Sequence, residues 1–243
     1  MIFAAHHTGG SDVGRLAENP AVLPPGTEQC SLAVDFRRAA DERTAFDDVP
    51  LPVGLHGATS ARRLQFLAGR FCALEALRRL EPRWTGSRIG RAEGGAPVWP
   101  AGVVGSITHT DGFVSAAVAR AEEMGGLGID SEGIVSTEQA RQVSRLVAWP
   151  AELAHARAAG LDRTESLTLV FSAKEAIFKC LHPAVGVMFY YHDARLVDVD
   201  AATRTFRARL VKTLSAQFPA DTIVEGRFAV SDSRMHTGVV IAA

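Results

Sequence analysis

The chain has 243 residues, with 26 lysines and arginines against 27 aspartates and glutamates, so its formal net charge is -1. This balance excludes a basic nucleic-acid-binding surface over the whole chain, and a hydrophobic fraction of 47% excludes a disordered protein. No apolar run reaches the roughly 18 residues that a membrane span requires, and the N-terminus lacks the pattern of a secretory signal. We therefore expect a soluble, cytoplasmic protein with no nucleic-acid or membrane partner.

The first half of the chain predicts a strand, a long helix and a hairpin. The strand is predicted at residues 31–36, within a region rich in proline and glycine. Apolar residues at helical spacing then predict a helix that begins at Ser60 and ends before Pro82. Two further strands, at residues 103–108 and 113–119, are predicted on either side of a tight turn.

The second half predicts one strand, three helices and then more strands. The strand covers residues 127–132, and a helix start follows at Ser136. Pro150 breaks that helix and starts another, and the third helix is predicted to end before Pro183. Four final strands are predicted at residues 196–199, 206–210, 226–230 and 238–241.

Each half of the chain thus places a long helix ahead of a closing hairpin. This repeat predicts an α+β fold of two pseudo-symmetric halves, residues 1–121 and 122–243, joined near residues 120–126. A functional site is then expected in the cleft between the halves.

Two acidic residues, Asp130 and Glu132, stand two apart at the end of an apolar strand, so both carboxylates leave the same face. Carboxylates this close repel unless a cation or a proton lies between them. A hard divalent ion such as Mg²⁺ suits the pair. The alternative is a solvated strand end with its charges in the following turn.

The helix around residues 171–179 carries a second polar group. Ser172, Glu175 and Lys179 share one helical face, while Lys174 falls in register with the apolar stripe, where an unpaired ammonium is costly. The chain has only three lysines, and two of them lie here, five residues apart. Two ordinary interpretations stay open: a capping box of Ser172 with Glu175, and an ion pair of Glu175 with Lys179.

A histidine and several arginines are candidates for binding an anion. His109 lies at a strand end beside small hydroxyl residues and a turn, and Arg62, Arg63 and Arg70 flank the apolar stripe of their helix. Arg91 lies in a glycine-rich loop. These side chains either hold phosphates bidentately or form a solvated helix flank with a structural histidine.

Taken in order, these motifs resemble the 4'-phosphopantetheinyl transferase superfamily, and within it the larger, monomeric branch of the enterobactin synthetase component D type. The similarity covers roughly residues 60–195, most of the chain. It rests on four segments, which are residues 62–73, 99–109, 128–132 and 171–179. The two segments that carry carboxylates, residues 128–132 and 171–179, form a specific pair at this separation, whereas the arginine helix alone is not specific.

The resemblance implies a role for each candidate. Asp130, Glu132 and Glu175 are expected to bind Mg²⁺, and Lys179 is expected to contact the reacting phosphate and stabilise the leaving group. His109, with Thr108 beside it, is expected to bind a phosphate of coenzyme A, and Arg62 and Arg70 its 3'-phosphate. The full set expected to bind coenzyme A is Arg62, Arg70, Arg91, Thr108, His109 and Lys174.

The resemblance also implies a reaction and a partner. A serine of an apo acyl or peptidyl carrier protein attacks the β-phosphate of coenzyme A and releases 3',5'-ADP, with Glu175 or a metal-bound water as the base. Residues 181–189 are predicted to form the surface on which the carrier docks. The product serves siderophore, secondary-metabolite or fatty-acid synthesis. The alternatives are a catalytically inactive coenzyme A-binding regulatory module and a Mg²⁺-dependent phosphohydrolase.

Overall fold

Two antiparallel sheets dominate the fold in this computed structural model, which describes residues 14–37, 46, 49–92 and 94–243. The first sheet has the order β1-β2-β6-β5 and the second β7-β11-β10-β9-β8, while β3 and β4 form a short ribbon. The strands are β1 (Gly14–Ala17), β2 (Thr27–Val34), β3 (Gly90–Arg91), β4 (Pro97–Val98), β5 (Val103–Thr110), β6 (Phe113–Arg120), β7 (Met124–Gly133), β8 (Ala194–Asp200), β9 (Thr205–Leu210), β10 (Ile223–Ser231) and β11 (Arg234–Ala242). The predicted α+β class is confirmed.

The α-helices of the described residues are α1 (Ser60–Leu80), α2 (Thr137–Val147), α3 (Pro150–Ala158) and α4 (Arg163–Val185). Side chains cap three of them. Thr59 accepts the backbone N–H of Arg62 at the start of α1, and Ser136 with Gln139 forms a capping box on α2. At the start of α4, Asp162 accepts two backbone N–H groups. These caps satisfy amides that have no partner inside a helix.

Each large sheet is covered by one long helix. The apolar face of α1 packs on β2 and β6, with Leu64 and Leu77 fully buried against Val114 and Val118. The apolar face of α4 packs on the second sheet, where Ile177 lies in the same core. The pseudo-symmetry of the two halves and the division at residue 121 stay predictions.

Some predicted boundaries of helices and strands were wrong. Helix α4 passes through Pro183 and ends at Val185, because a proline near the end of a helix removes only one bond of its last turn. Gly186 then caps the helix with a φ of 66°. The strand expected at residues 31–36 lies at Thr27–Val34. It ends early because Asp35 accepts the backbone N–H of Arg37 and turns the chain.

The edges of the two sheets meet through side-chain hydroxyls. Strand β5 is the edge of the first sheet and β7 the edge of the second. Three alternate hydroxyls of β5 accept backbone N–H groups of β7: Ser106 from Ile129 at 3.1 Å, Thr108 from Ser131 at 3.0 Å, and Thr110 from Gly133 at 3.3 Å. We call this junction the hydroxyl seam. It satisfies amides of an otherwise unpaired edge and sets β5 and β7 at a fixed register.

A buried histidine supports the back of the seam. His236 in β11 is 2% exposed, and its ring nitrogens bond Ser131 at 2.8 Å and Ser231 at 3.1 Å. Burial, reinforced by the positive charge of Arg234, lowers the pKa of His236 from 6.5 to about 4. The imidazole of the folded protein is therefore uncharged at neutral pH.

We expect this histidine to make the fold acid-sensitive. Between pH 6.5 and about 4 the unfolded chain protonates His236 and the folded chain does not, so the free energy of unfolding falls as the pH is lowered. The contribution of this one group reaches about 3 kcal/mol. Urea denaturation at neutral and acid pH should therefore show that the free energy of unfolding falls less on acidification for His236→Gln than for the unchanged protein. Equal losses would show that His236 is not the group responsible.

No helix in the described part of the chain combines the length and the apolar character that crossing a membrane requires.

Candidate active site at the hydroxyl seam

An aspartate lies at the centre of the seam. Asp130 in β7 is 3% exposed, and its Oδ1 accepts a bond from Lys179 Nζ at 2.6 Å and one from Thr108 Oγ1 at 3.2 Å. Its second oxygen, Oδ2, is buried and has no hydrogen-bond partner among the described residues. A buried anion with one free oxygen is costly, so this carboxylate has capacity for another cation.

Two glycines bring α4 close enough for Lys179 to reach Asp130. Gly126 and Gly128 stand two apart on the face of β7 that α4 crosses. A Cβ on Gly128 would overlap the carbonyl oxygen of Ala176, and one on Gly126 would lie 2.8 Å from the carbonyl oxygen of Cys180. Only glycine permits this backbone approach.

Glu132 shares the charge of this cluster. Burial and the negative charges of Asp130 and Glu175 raise its pKa to about 7, against the opposing effect of Lys179. The carboxylates of β7 and the carboxylate of α4 therefore act on one another electrostatically, as the strand and helix spacing predicts.

The residues fit a hard divalent cation, although no group of three acidic, histidine or cysteine side chains among the described residues is arranged to hold a metal ion as it stands. The fit rests on the free Oδ2 of Asp130 and on the raised pKa of Glu132. These two observations indicate that the positive charge of the cluster does not balance the negative charge of its carboxylates. Three carboxylates are also the donor type that Mg²⁺ prefers.

Glu175 is held by a residue from outside its helix. The hydroxyl of Tyr191 donates to Glu175 Oε1 at 2.7 Å. Burial and this bond raise the pKa of Tyr191, so the phenol stays protonated. Both ordinary interpretations of the helix are wrong. Ser172 bonds the hydroxyl of Thr237 at 2.8 Å in mid-helix rather than capping a terminus, and Lys179 pairs with Asp130, not with Glu175.

His109 and Arg62 come together on the open side of the seam. A guanidinium nitrogen of Arg62 lies 3.2 Å from His109 Nε2. Desolvation and the positive charges of Arg62 and Lys179 lower the pKa of His109. Because Lys179 acts on both His109 and Asp130, the basic and acidic groups form one continuous site.

Arg70 and Arg91 form a second basic group. Arg70 is 6% exposed, donates to the carbonyl of Gly90 at 2.9 Å, and has a buried Nε with no partner among the described residues. Burial and the charge of Arg91 lower the pKa of Arg70 to about 10. Arg62 and Arg70 start about 12 Å apart along the helix. Arg62 contacts His109, whereas Arg70 contacts the carbonyl of Gly90. That both arginines bind the same phosphate therefore stays a prediction.

Two candidates lie away from the open face. Thr108 is 2% exposed and uses its hydroxyl within the seam, so it positions Asp130 rather than facing a ligand. Lys174 is 3% exposed and donates to Glu152 Oε2 and to the Val147 carbonyl, each at 2.8 Å. Its ammonium is buried and paired with a carboxylate of α3, away from the seam. We therefore leave Lys174 out of the group that would bind coenzyme A.

Comparison with known proteins decides the family. The chain is 33% identical to the 4'-phosphopantetheinyl transferase Npt of Nocardia iowensis over 235 residues, which cover 91% of this chain and 98% of that protein. It is 37% identical to the 4'-phosphopantetheinyl transferase Svp of Streptomyces mobaraensis over 202 residues, 76% of this chain and 75% of that protein. This chain belongs to the 4'-phosphopantetheinyl transferase superfamily.

Further matches agree with this assignment. The profile of the 4'-phosphopantetheinyl transferase N-terminal domain matches residues 51–119, and that of the 4'-phosphopantetheinyl transferase superfamily matches residues 126–231. Enterobactin synthase component D of Escherichia coli K12 is 39% identical over 125 residues, 51% of this chain and 57% of that protein. The resemblance inferred from the motifs is confirmed, and with it the enzyme class.

Two features of this transferase site escaped the sequence reasoning. The alternating glycines Gly126 and Gly128 were visible, since glycine inside a strand pattern indicates a close backbone approach. Tyr191 gave no signal, because its bond to Glu175 depends on how the segment after α4 folds back over the helix.

Proposed function

We propose that this protein transfers the 4'-phosphopantetheine group of coenzyme A to a serine of an apo acyl or peptidyl carrier protein. The membership of the superfamily supports the transfer. One observation carries the assignment of the site: Asp130 is buried beside Lys179 and near two further carboxylates, and one of its oxygens has no partner among the described residues. Such a cluster suits a reaction between an anionic donor and a neutral nucleophile.

In this reaction the serine oxygen bonds to the β-phosphorus of coenzyme A, while the bond from that phosphorus to the bridging oxygen breaks. The electron pair leaves with 3',5'-ADP. Asp130, Glu132 and Glu175 would hold Mg²⁺, which when bound supplies positive charge that neutralises the phosphate oxygens. Lys179, whose side chain is 27% exposed, can turn a second N–H toward the reacting phosphate and stabilise the leaving group.

The serine proton must also be removed. Glu175 is the carboxylate of the cluster that lines a cavity, and we assign it as the group that takes this proton, directly or through a water. Arg62 and His109 would bind a phosphate of the donor, because a guanidinium and an imidazole at 3.2 Å form a ready anion site.

The remaining length of the donor needs an apolar channel. A cavity of about 210 Å³ opens beside Glu175 and is lined by Phe178, Met188 and Phe189. We assign it to the pantetheine arm, which is neutral and flexible. Of the surface predicted to dock the carrier, Val187 and Met188 are exposed, whereas Leu181 and Phe189 are buried. We therefore restrict the proposed docking surface to Val187 and Met188, the large hydrophobic residues of this segment that are exposed.

The proposed function is tested by incubating the protein with coenzyme A, Mg²⁺ and an apo carrier protein, and then weighing the carrier. A mass gain equal to phosphopantetheine, matched by release of 3',5'-ADP, is the expected result. Nucleotide release without a mass gain would identify a phosphohydrolase, and neither change would identify a binding module. The carrier serine replaced by alanine is the control. The cytoplasmic location, the monomeric state and the pathway served stay predictions.

A further inference from the structure

We propose that Tyr191 is a positioning residue that orients the Glu175 carboxylate for binding a divalent cation. The inference rests on the proposed function, because it concerns the same site. None of the sequence motifs described above includes this tyrosine, and the fold brings it to Glu175.

The contact joins two separate elements. Tyr191 lies in a single helical turn, Tyr191–Asp193, that precedes β8, while Glu175 lies in the middle of α4. The phenol donates to Glu175 Oε1 at 2.7 Å, and the tyrosine ring packs against Phe171 with centroids 5.6 Å apart. The ring contact fixes the direction of the hydroxyl, so the donor is aimed before any ligand arrives.

The turn that carries Tyr191 is held independently of its hydroxyl. Asp193 Oδ2 accepts the backbone N–H of Tyr190 at 2.8 Å and pairs with Lys212 Nζ at 2.7 Å. The backbone of this turn therefore keeps its place when the hydroxyl is removed. Loss of the hydroxyl would then change only what acts on Glu175.

A hydrogen bond to a charged carboxylate is short and about twice as strong as one between neutral groups. It restricts a glutamate that otherwise loses considerable rotamer freedom when it binds a ligand. Because Tyr191 occupies Oε1, we assign Oε2 to the cation. Glu175 is thus partly ordered before the cation binds, so less conformational entropy is lost on binding. This is the usual effect of a residue that supports a ligand to a metal.

The test compares Tyr191→Phe with Tyr190→Phe. Both changes remove one hydroxyl from the same region, but the side chain of Tyr190 is 69% exposed, and among the described residues Tyr190 hydrogen-bonds through its backbone, to the side chain and backbone of Asp193. Binding of Mn²⁺ alone, without coenzyme A or carrier, is measured by electron paramagnetic resonance. We expect roughly tenfold weaker binding for Tyr191→Phe, the size typical of a support residue, and no change for Tyr190→Phe.

A second readout separates positioning from structural support. In the transfer assay, the Mg²⁺ concentration for half-maximal rate should rise for Tyr191→Phe by a larger factor than the maximal rate falls. The unfolding midpoint in urea with a chelator should stay near that of the unchanged protein, because the ring still packs on Phe171. Equal Mn²⁺ affinities in all three proteins, or a fall in maximal rate alone, would overturn the inference.

Failure of the inference and failure of the proposed function give different results. A protein that binds Mn²⁺ but transfers nothing to a carrier overturns the proposed function, and the ratio of Mn²⁺ affinities still decides the role of Tyr191. A protein that transfers normally but has the same Mn²⁺ affinity with and without the Tyr191 hydroxyl overturns the inference alone. An unchanged protein that binds no Mn²⁺ overturns it as well.

Discussion

Gly128→Ala should separate α4 from β7 and remove most of the activity. The added Cβ would overlap the carbonyl oxygen of Ala176 and lie 2.6 Å from the backbone nitrogen of Cys180. Backbone atoms cannot move aside as a flexible side chain can, so the helix must shift. We expect a loss of about 1–3 kcal/mol in the free energy of unfolding. A shift of about 1 Å between Lys179 and Asp130 should lower the transfer rate roughly 100-fold.

The matched control for this prediction lies in the same strand. Gly133 ends β7, and a Cβ there meets nothing within 4 Å. Gly133→Ala should therefore fold and react like the unchanged protein. Urea denaturation and the carrier mass assay measure both variants. If Gly128→Ala matched Gly133→Ala in stability and rate, close contact between α4 and β7 would not be what assembles the site.

Glu175→Gln is expected to lower kcat/KM roughly 1000-fold while leaving the fold intact. Glutamine has nearly the same shape and can still accept the bond from Tyr191, so the variant removes only the negative charge. That charge is needed both to hold a cation and to take a proton. Binding of coenzyme A, followed calorimetrically, should change little because Arg62 and His109 are untouched.

An exposed glutamate provides the control for Glu175→Gln. Glu138 lies in the first turn of α2 with a side chain that is 69% exposed, and its replacement by glutamine should leave the rate unchanged. Full turnover by Glu175→Gln would mean that this carboxylate neither holds a cation nor moves a proton. The assignment of the site would then be wrong.

Local patterns were enough to predict the elements that carry the site. Helix α1 begins at Ser60 as predicted, because apolar residues recur at helical spacing and Pro82 limits its end. The strand with Asp130 and Glu132 begins three residues earlier than predicted, at Met124, because the glycines before Leu127 give no alternating pattern. Alternation fixed the shared face of the two acids, which needs no knowledge of the rest of the fold.

Local sequence patterns could not predict contacts between residues that are far apart in the chain. Spacing along a helix favours the pair Glu175 with Lys179, yet Lys179 bonds Asp130, 49 residues away. Likewise, Lys174 was expected to bind coenzyme A, whereas the structure pairs it with Glu152 of α3. The first pair depends on which strand lies under α4 and the second on how α3 packs against α4, and both are decided by tertiary packing.

The hydroxyl seam has a consequence for how this protein can vary. Backbone ladders inside each sheet are the same whatever the side chains are, so single substitutions rarely redraw them. The junction between β5 and β7 is instead specified by three hydroxyl groups, each encoded by one codon. Exchanging serine for threonine, or threonine for serine, keeps the accepting hydroxyl and can therefore change the spacing between the sheets while both sheets remain intact. Descendants of this chain can therefore adjust how the two sheets meet without a new architecture.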